Sequence, residues 1–291
     1  MASPKGKGKA PAAASSSSAT PSIPLPTRLQ RKLAPFRKAA LGIAEGIQST
    51  AESAITDIVR QDPAYDHLLP KSTYYKYVED DVTFYEVTRE PRASGATDCK
   101  GSVEASLWRG AIMHTNCQKA VYCLLEKVRE VLSGDPDVEQ VDWLQRVIQP
   151  TNVFFPSDRD DEVPIYTHDI MRIKSRQGSF FVLDVTFDQF GLEKWLFTMK
   201  EYNDLELIQV MRPNKVKEDA VIAELLKQGP GLPAVKAGVE RAMAEAETEW
   251  AKEGVRWENF ETLTDHQRER LLSGLADRVQ QRVVEARTSA P

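Results

Sequence analysis

The stretch IYTHDIMRIKSRQGSFFVLDVTF, residues 165–187, decides the reading of the fold. Two runs rich in aliphatic, β-branched and aromatic residues flank Ser175-Arg176-Gln177-Gly178-Ser179, the composition of a β-hairpin. A three-residue loop with Gly178 in the left-handed conformation pairs Ser175 with Ser179. The same register sets His168 opposite Thr186 and Ile170 opposite Asp184. His168 and Asp184 then share one face as diagonal neighbours about 7–8 Å apart at the backbone, within side-chain reach. A two-residue turn would put them on opposite faces, so loop length decides whether this imidazole and this carboxylate can meet. Asp184 is the odd residue of the run Phe180 to Val185, because a carboxylate among apolar side chains is costly without a partner.

Working outward, Thr115-Asn116-Cys117-Gln118 opens a helix, since Thr followed three residues later by Gln forms a capping box. Val121, Leu124, Leu125, Val128 and Val131 make its apolar stripe, and Gly134 with Pro136 stops it. With Thr115 as N-cap, Cys117 is the second helical residue. Its thiol lies at the positive end of the helix, where a thiolate is favoured, and its amide is free to donate to an oxyanion. Cys123 falls mid-helix in the core, and Cys99 falls in a loop. A purely structural reading competes, because free cysteine is among the most buried residue types and Cys117 extends its own helix's stripe.

Elsewhere the pattern predicts an amphipathic helix from Pro35 to about Arg60, on Phe36, Ile43, Ile47, Ile55 and Ile58. One or two strands follow within Tyr74 to Val87, ended by Pro91 to Gly95. A short helix over Val138 to Ile148, a brief strand over Asn152 to Phe155 and an acidic loop from Asp158 to Glu162 come next. Beyond Gly191 the chain reads as helical: Leu192 to Tyr202, Lys217 to Lys227, Val235 to Lys252, and a last helix capped by Thr264 and Gln267. The expected organisation is a disordered basic tail over residues 1–34, an α+β domain over 35–228, and a C-terminal helical extension over 229–291 beyond the break at Gly229 to Pro233. The first 27 residues are Lys, Gly, Ala, Ser and Pro, with too little apolar surface to offset ordering entropy.

With 291 residues and 41% hydrophobic content, the chain can bury a core without disulfides. Its three cysteines suit reduced thiols in a cytoplasmic setting. The acid-free N-terminus also fits a mitochondrial or nuclear address. No apolar run would cross a bilayer, so a soluble protein without a membrane partner is expected. Residues 1–44 hold eight basic side chains and no acid, so the overall charge of −5 leaves −13 on the remainder. So acidic a body argues against nucleic-acid binding except through the tail. The sequence contains no phosphate-cradling glycine loop or dinucleotide fingerprint, and no cofactor is expected. No metal is expected either: Cys99, His114, Cys117 and Cys123 lack the paired spacing of a zinc site, and Asp158 to Glu162 lacks the turn glycine of a calcium loop.

A cysteine opening a helix, His168 leading a strand and Asp184-x-Thr186 sixteen residues on together resemble the core of the transglutaminase-like and papain-like cysteine enzymes, over roughly residues 110–191. The run Phe180 to Thr186 followed by Gln189-Phe190-Gly191 also resembles fungal proteins of this type. The resemblance implies a papain/transglutaminase-like α+β core, with the nucleophile's helix packed on an antiparallel sheet. It further implies Cys117 as nucleophile, His168 as base and Asp184 as its orienting carboxylate. The expected activity is acyl transfer or hydrolysis, of the protease, deamidase or transglutaminase class, on a protein or peptide substrate. The sequence departs from the family in lacking a Gly-rich or Trp-flanked setting around the cysteine and an upstream glutamine. Asn116 and His114 are the nearby candidates for the oxyanion hole. The alternative is a non-catalytic interaction module on an α+β scaffold that engages a partner through its C-terminal helices.

Overall fold

A computed structural model describes residues 23–61, 82–148, 150–157, 167–205, 214–215, 217–229 and 231–289. The expected tail before residue 23, the first half of the strand region at 74–81 and the acidic loop at 158–162 lie outside them. The fold is α+β. In chain order the elements are α1 (Leu25–Ser49), β1 (Ser53–Gln61), β2 (Thr83–Pro91), α2 (Ala105–Met113), α3 (Cys117–Ser133), β3 (Val138–Arg146), β4 (Asn152–Pro156), β5 (His168–Ser175) and β6 (Phe180–Leu183). They continue with β7 (Leu196–Thr198), α4 (Met199–Asn203), β8 (Asn214–Lys215), α5 (Glu218–Gln228), α6 (Leu232–Lys252), α7 (Asp265–Leu272) and α8 (Leu275–Thr288).

Five strands form an antiparallel sheet in the order β7-β6-β5-β3-β8, and β1-β2-β4 form a smaller sheet in which β2 and β4 run parallel. The β5–β6 hairpin adopts the three-residue loop: the Ser175 amide donates to the Ser179 carbonyl at 2.8 Å, Gly178 has φ 85°, and Met171 pairs with Leu183. One face of the large sheet carries Val141, Trp143, Met171, Ile173, Phe181 and Leu183 against α3. The other carries Leu144, Ile170, Val182 and Phe197, closed by Phe190 and Tyr202.

Several expectations are corrected. The first helix begins at Leu25, with a proline near its start, so the tail cannot run to residue 34; Leu29 and Leu33 are fully buried. That helix ends at Ser49, and residues 53–61 are a strand whose bulge between Ile55 and Asp57 puts Ile55 and Ile58 on one face at helical spacing. The segment expected as a helix over 138–148 is strand β3. A bulge between Val138 and Gln140 produces the same false periodicity there. Residues 192–202 supply β7 and only the short α4, which a Thr198–Glu201 capping box starts.

The C-terminal helices are not a separate extension. Val235, Val239, Met243, Trp250, Val279 and Val283 join Leu33, Phe36, Leu124, Trp143 and Met171 in one core. Helix α8 packs along α1 closely enough that a Cβ on Gly42 would lie 2.4 Å from the Ala276 carbonyl oxygen. Among the described residues, no helix is long and apolar enough to cross a membrane.

Candidate functional site

The three predicted residues come together at the end of the large sheet where α3 begins. His168 leads β5, and its Nε2 lies 2.7 Å from Asp184 Oδ2 with both side chains fully buried. Asp184 follows β6, and its own amide bonds the Trp195 carbonyl, so the carboxylate is held by the sheet's margin. Its remaining capacity is filled: the Thr186 amide donates to Oδ1 at 3.1 Å, and the Tyr202 hydroxyl donates to Oδ2 at 3.2 Å. The capping box at the start of α4 is what carries Tyr202 to that place. Burial of the phenol, followed by the adjacent Asp184 charge, raises the Tyr202 pKa well above its ordinary value and keeps the hydroxyl a donor.

Desolvation alone would push the His168 imidazole down. The charge of Asp184 and its hydrogen bond, joined by the neighbouring Cys117 sulfur, outweigh that effect and bring the pKa up to about 10. Nε2 is committed to Asp184, which leaves Nδ1 for Gln189, whose side-chain nitrogen lies 3.1 Å away. That nitrogen also donates to the Thr186 hydroxyl at 2.9 Å, an arrangement suited to a neutral ring. A pKa near 10 calls for the charged ring instead. The two agree if the Gln189 carboxamide makes a half turn, so that its oxygen accepts from Nδ1–H and the Thr186 hydroxyl donates. The edge of the imidazole meets the Phe190 ring at 4.6 Å between centroids, and this contact seals the imidazole from water.

Cys117 is the first residue of α3, and Asn116, not Thr115, is the N-cap, with no side-chain capping bond. The predicted Thr115–Gln118 capping box does not form because Thr115 is left-handed, at φ 64°. A positive φ on a β-branched residue is a strained conformation. It lets the chain turn from the end of α2 into α3 through only three residues. As the first helical residue, Cys117 has an amide with no carbonyl to bond within the helix. Cys117 is 7% exposed and borders a cavity of about 160 Å³, shared with His114, Gln118, Thr167, Asp169 and Gln189. Asp169, which the sequence reading missed, holds Oδ1 on the Trp143 indole N–H at 2.6 Å and presents Oδ2 to the Cys117 sulfur at 3.9 Å. Burial raises the Asp169 pKa against the opposing pull of those donors.

The oxyanion candidates divide. His114 lines the cavity. Asn116 does not, because its amide nitrogen donates to the Ile112 carbonyl at 2.6 Å and its oxygen accepts from Lys119 at 2.8 Å, so that expectation is corrected. The loop bearing Gln189 is clamped from behind: Arg109 Nε bonds Asp188 at 2.8 Å, and a Cβ on Gly110 would stand 2.9 Å from the Asp188 carbonyl oxygen. Only glycine allows α2 this close.

Comparison with protein-family models, curated proteins and solved structures finds no match. Of the other cysteines, Cys123 is sealed within α3 with its pKa raised by burial to about 12, and Cys99 is buried with its pKa also raised, chiefly by burial. No group of metal-ligating side chains occurs among the described residues.

Proposed function

We propose that this chain is a cysteine-dependent acyl-transfer enzyme or hydrolase of the papain/transglutaminase-like type, with Cys117 as nucleophile, His168 as base and Asp184 as the residue that orients the imidazole. The observation that carries this reading is the fully buried His168–Asp184 pair at 2.7 Å beside Cys117, whose sulfur borders a cavity. An ordinary core histidine has no need of a carboxylate that is itself held by an amide and a phenol.

The chemistry follows from the placement. The reaction starts from an ion pair, with the proton of the Cys117 thiol carried on His168 Nδ1, and the sulfur attacks the carbonyl carbon of an amide or ester in the cavity. The unbonded Cys117 amide, at the positive end of α3, faces the oxygen on which charge develops. Collapse breaks the bond to the leaving group, which carries off the proton from His168 and leaves a thioester on Cys117. Water, or an amine in a transfer reaction, then attacks that thioester through the same base.

The test uses p-nitrophenyl acetate as acyl donor and the folded full-length chain. Mass spectrometry should find one acetyl group on Cys117, removable by hydroxylamine and absent from Cys117→Ala. His168→Gln should slow its formation by about 10²-fold or more. Acetylation of Cys117 no faster than in the urea-unfolded chain would sink the proposal.

A further inference from the structure

Away from the thiol, the start of α3, the end of α5, the start of α6 and the end of α8 enclose a second cavity, of about 460 Å³. Leu225, Leu232 and Val235 give it an apolar wall, and Lys119 and Arg287 give it two positive charges. No carboxylate among the described residues lines it. Cations on the same helices are treated differently. Arg129 holds Glu218 with two nitrogens, Lys127 lies between Glu130 and Glu247, and Arg282 is placed between Glu245 and Glu285.

Among the described residues, the Lys119 ammonium donates only to the neutral amide oxygen of Asn116. Burial, followed by the charge of Arg287, pushes its pKa down. Arg287 is exposed in the last turn of α8, where the helix's negative end favours a cation, but no carboxylate among the described residues meets its guanidinium. Two like charges thus face a cavity of small-molecule size, and incoming negative charge would relieve both. The start of α6 at Gly231 and Leu232 adds the positive end of a 21-residue helix to the same wall.

We propose that this cavity binds a small organic anion, a carboxylate or phosphomonoester on a short aliphatic body, with the anionic group between Lys119 and Arg287 and the aliphatic part on Leu225, Leu232 and Val235. The site is separate from Cys117 and does not depend on the thiol being catalytic.

Calorimetric titration of the full-length chain with hexanoate, hexyl phosphate and hexanol tests it. At least one of the two anions should bind with Kd of about 1 mM or tighter, more weakly as salt is raised, and at least about tenfold more tightly than hexanol. Whether hexanoate or hexyl phosphate is preferred identifies the headgroup. Lys119→Met and Arg287→Met should each weaken the anion by about tenfold or more, the loss expected for one charged hydrogen bond. Both variants keep an aliphatic stem, and circular dichroism on each verifies the fold. Cys117→Ala should bind as the parent does. Binding of hexanol as tight as that of the anions, unchanged affinity in both methionine variants, or no binding of either anion at concentrations about tenfold above 1 mM would overturn the assignment.

Discussion

His168 and Asp169 are sequence neighbours, so β5 sends them to opposite faces of its sheet, yet both lie beside Cys117. On one face the carboxylate Asp184 acts through an imidazole, is fully hydrogen-bonded and is shut away from solvent. On the other, Asp169 meets the sulfur directly and lies beside the open cavity. Two buried aspartates next to one thiol therefore exert opposite influences. Asp184 supports the positive ring that accompanies a thiolate, and ionised Asp169 opposes negative charge on sulfur.

The largest expected effect breaks the sealed side. Asp184→Ala leaves an imidazole without its counter-charge in a dry core and should cost about 3–5 kcal/mol in urea unfolding. The double variant His168→Leu/Asp184→Leu should recover part of that loss, because it removes both buried charges but leaves the Thr186 amide and the Tyr202 hydroxyl without their acceptor. If Asp184→Ala proves neutral, the pair is not an ionic unit.

The second effect is a pH dependence. The His168 pKa lies near 10 in the folded chain against an ordinary 6.5, so between those values the native state holds a proton that the unfolded chain has released. The stabilisation is complete below about 6.5 and is lost as pH rises through about 10, with a slope of at most about 1.4 kcal/mol per pH unit. Unfolding midpoints of the parent should fall over this window relative to the double leucine variant. Parallel curves would show that the ring is neutral in the native state.

The third sharpens the contrast between the two carboxylates. Asp184→Asn should slow alkylation of Cys117 by iodoacetamide, and Asp169→Asn should speed it by about fivefold or more, since a like charge about 4 Å away is worth on the order of kcal/mol near a protein surface. The Trp143 indole N–H can still donate to the asparagine oxygen, so the fold survives the change. Equal effects of the two substitutions would erase the distinction.

What was legible in the sequence follows the same division. The register that joins His168 to Asp184 could be read because Gly178 fixes the loop length and strand alternation does the rest. Asp169 escaped notice because that same alternation points it away from His168, and only the position of α3 over the sheet's end brings the thiol to it. Strands β1 and β3 were illegible for a different reason. A bulge in each inserts one residue, so Ile55 with Ile58 and Val138 with Val141 fall at a spacing that a helix also produces. Pro35 suggested a helix start, but α1 carries it in its interior, where Leu29, Leu33 and Phe36 bury completely and packing outweighs the lost backbone bond.

The smallest effect tests whether strain beside the thiol serves the site. At φ 64° Thr115 occupies a conformation that costs a β-branched residue about 1–2 kcal/mol, and glycine adopts it freely. Thr115→Gly should therefore raise stability, by less than the full strain because glycine also loosens the unfolded chain, leaving a net gain of about 0.5–1 kcal/mol. The same freedom lets the first turn of α3 move, and Cys117 lies two residues away on the cavity wall that Thr115 also forms. Acetylation of Cys117 should then slow while the protein becomes more stable. A stabilised variant with unchanged acetylation would mean that the tight turn between α2 and α3 merely tolerates Thr115. A slower, more stable variant would mean that the strain holds the sulfur where His168 on one side and the cavity on the other can reach it.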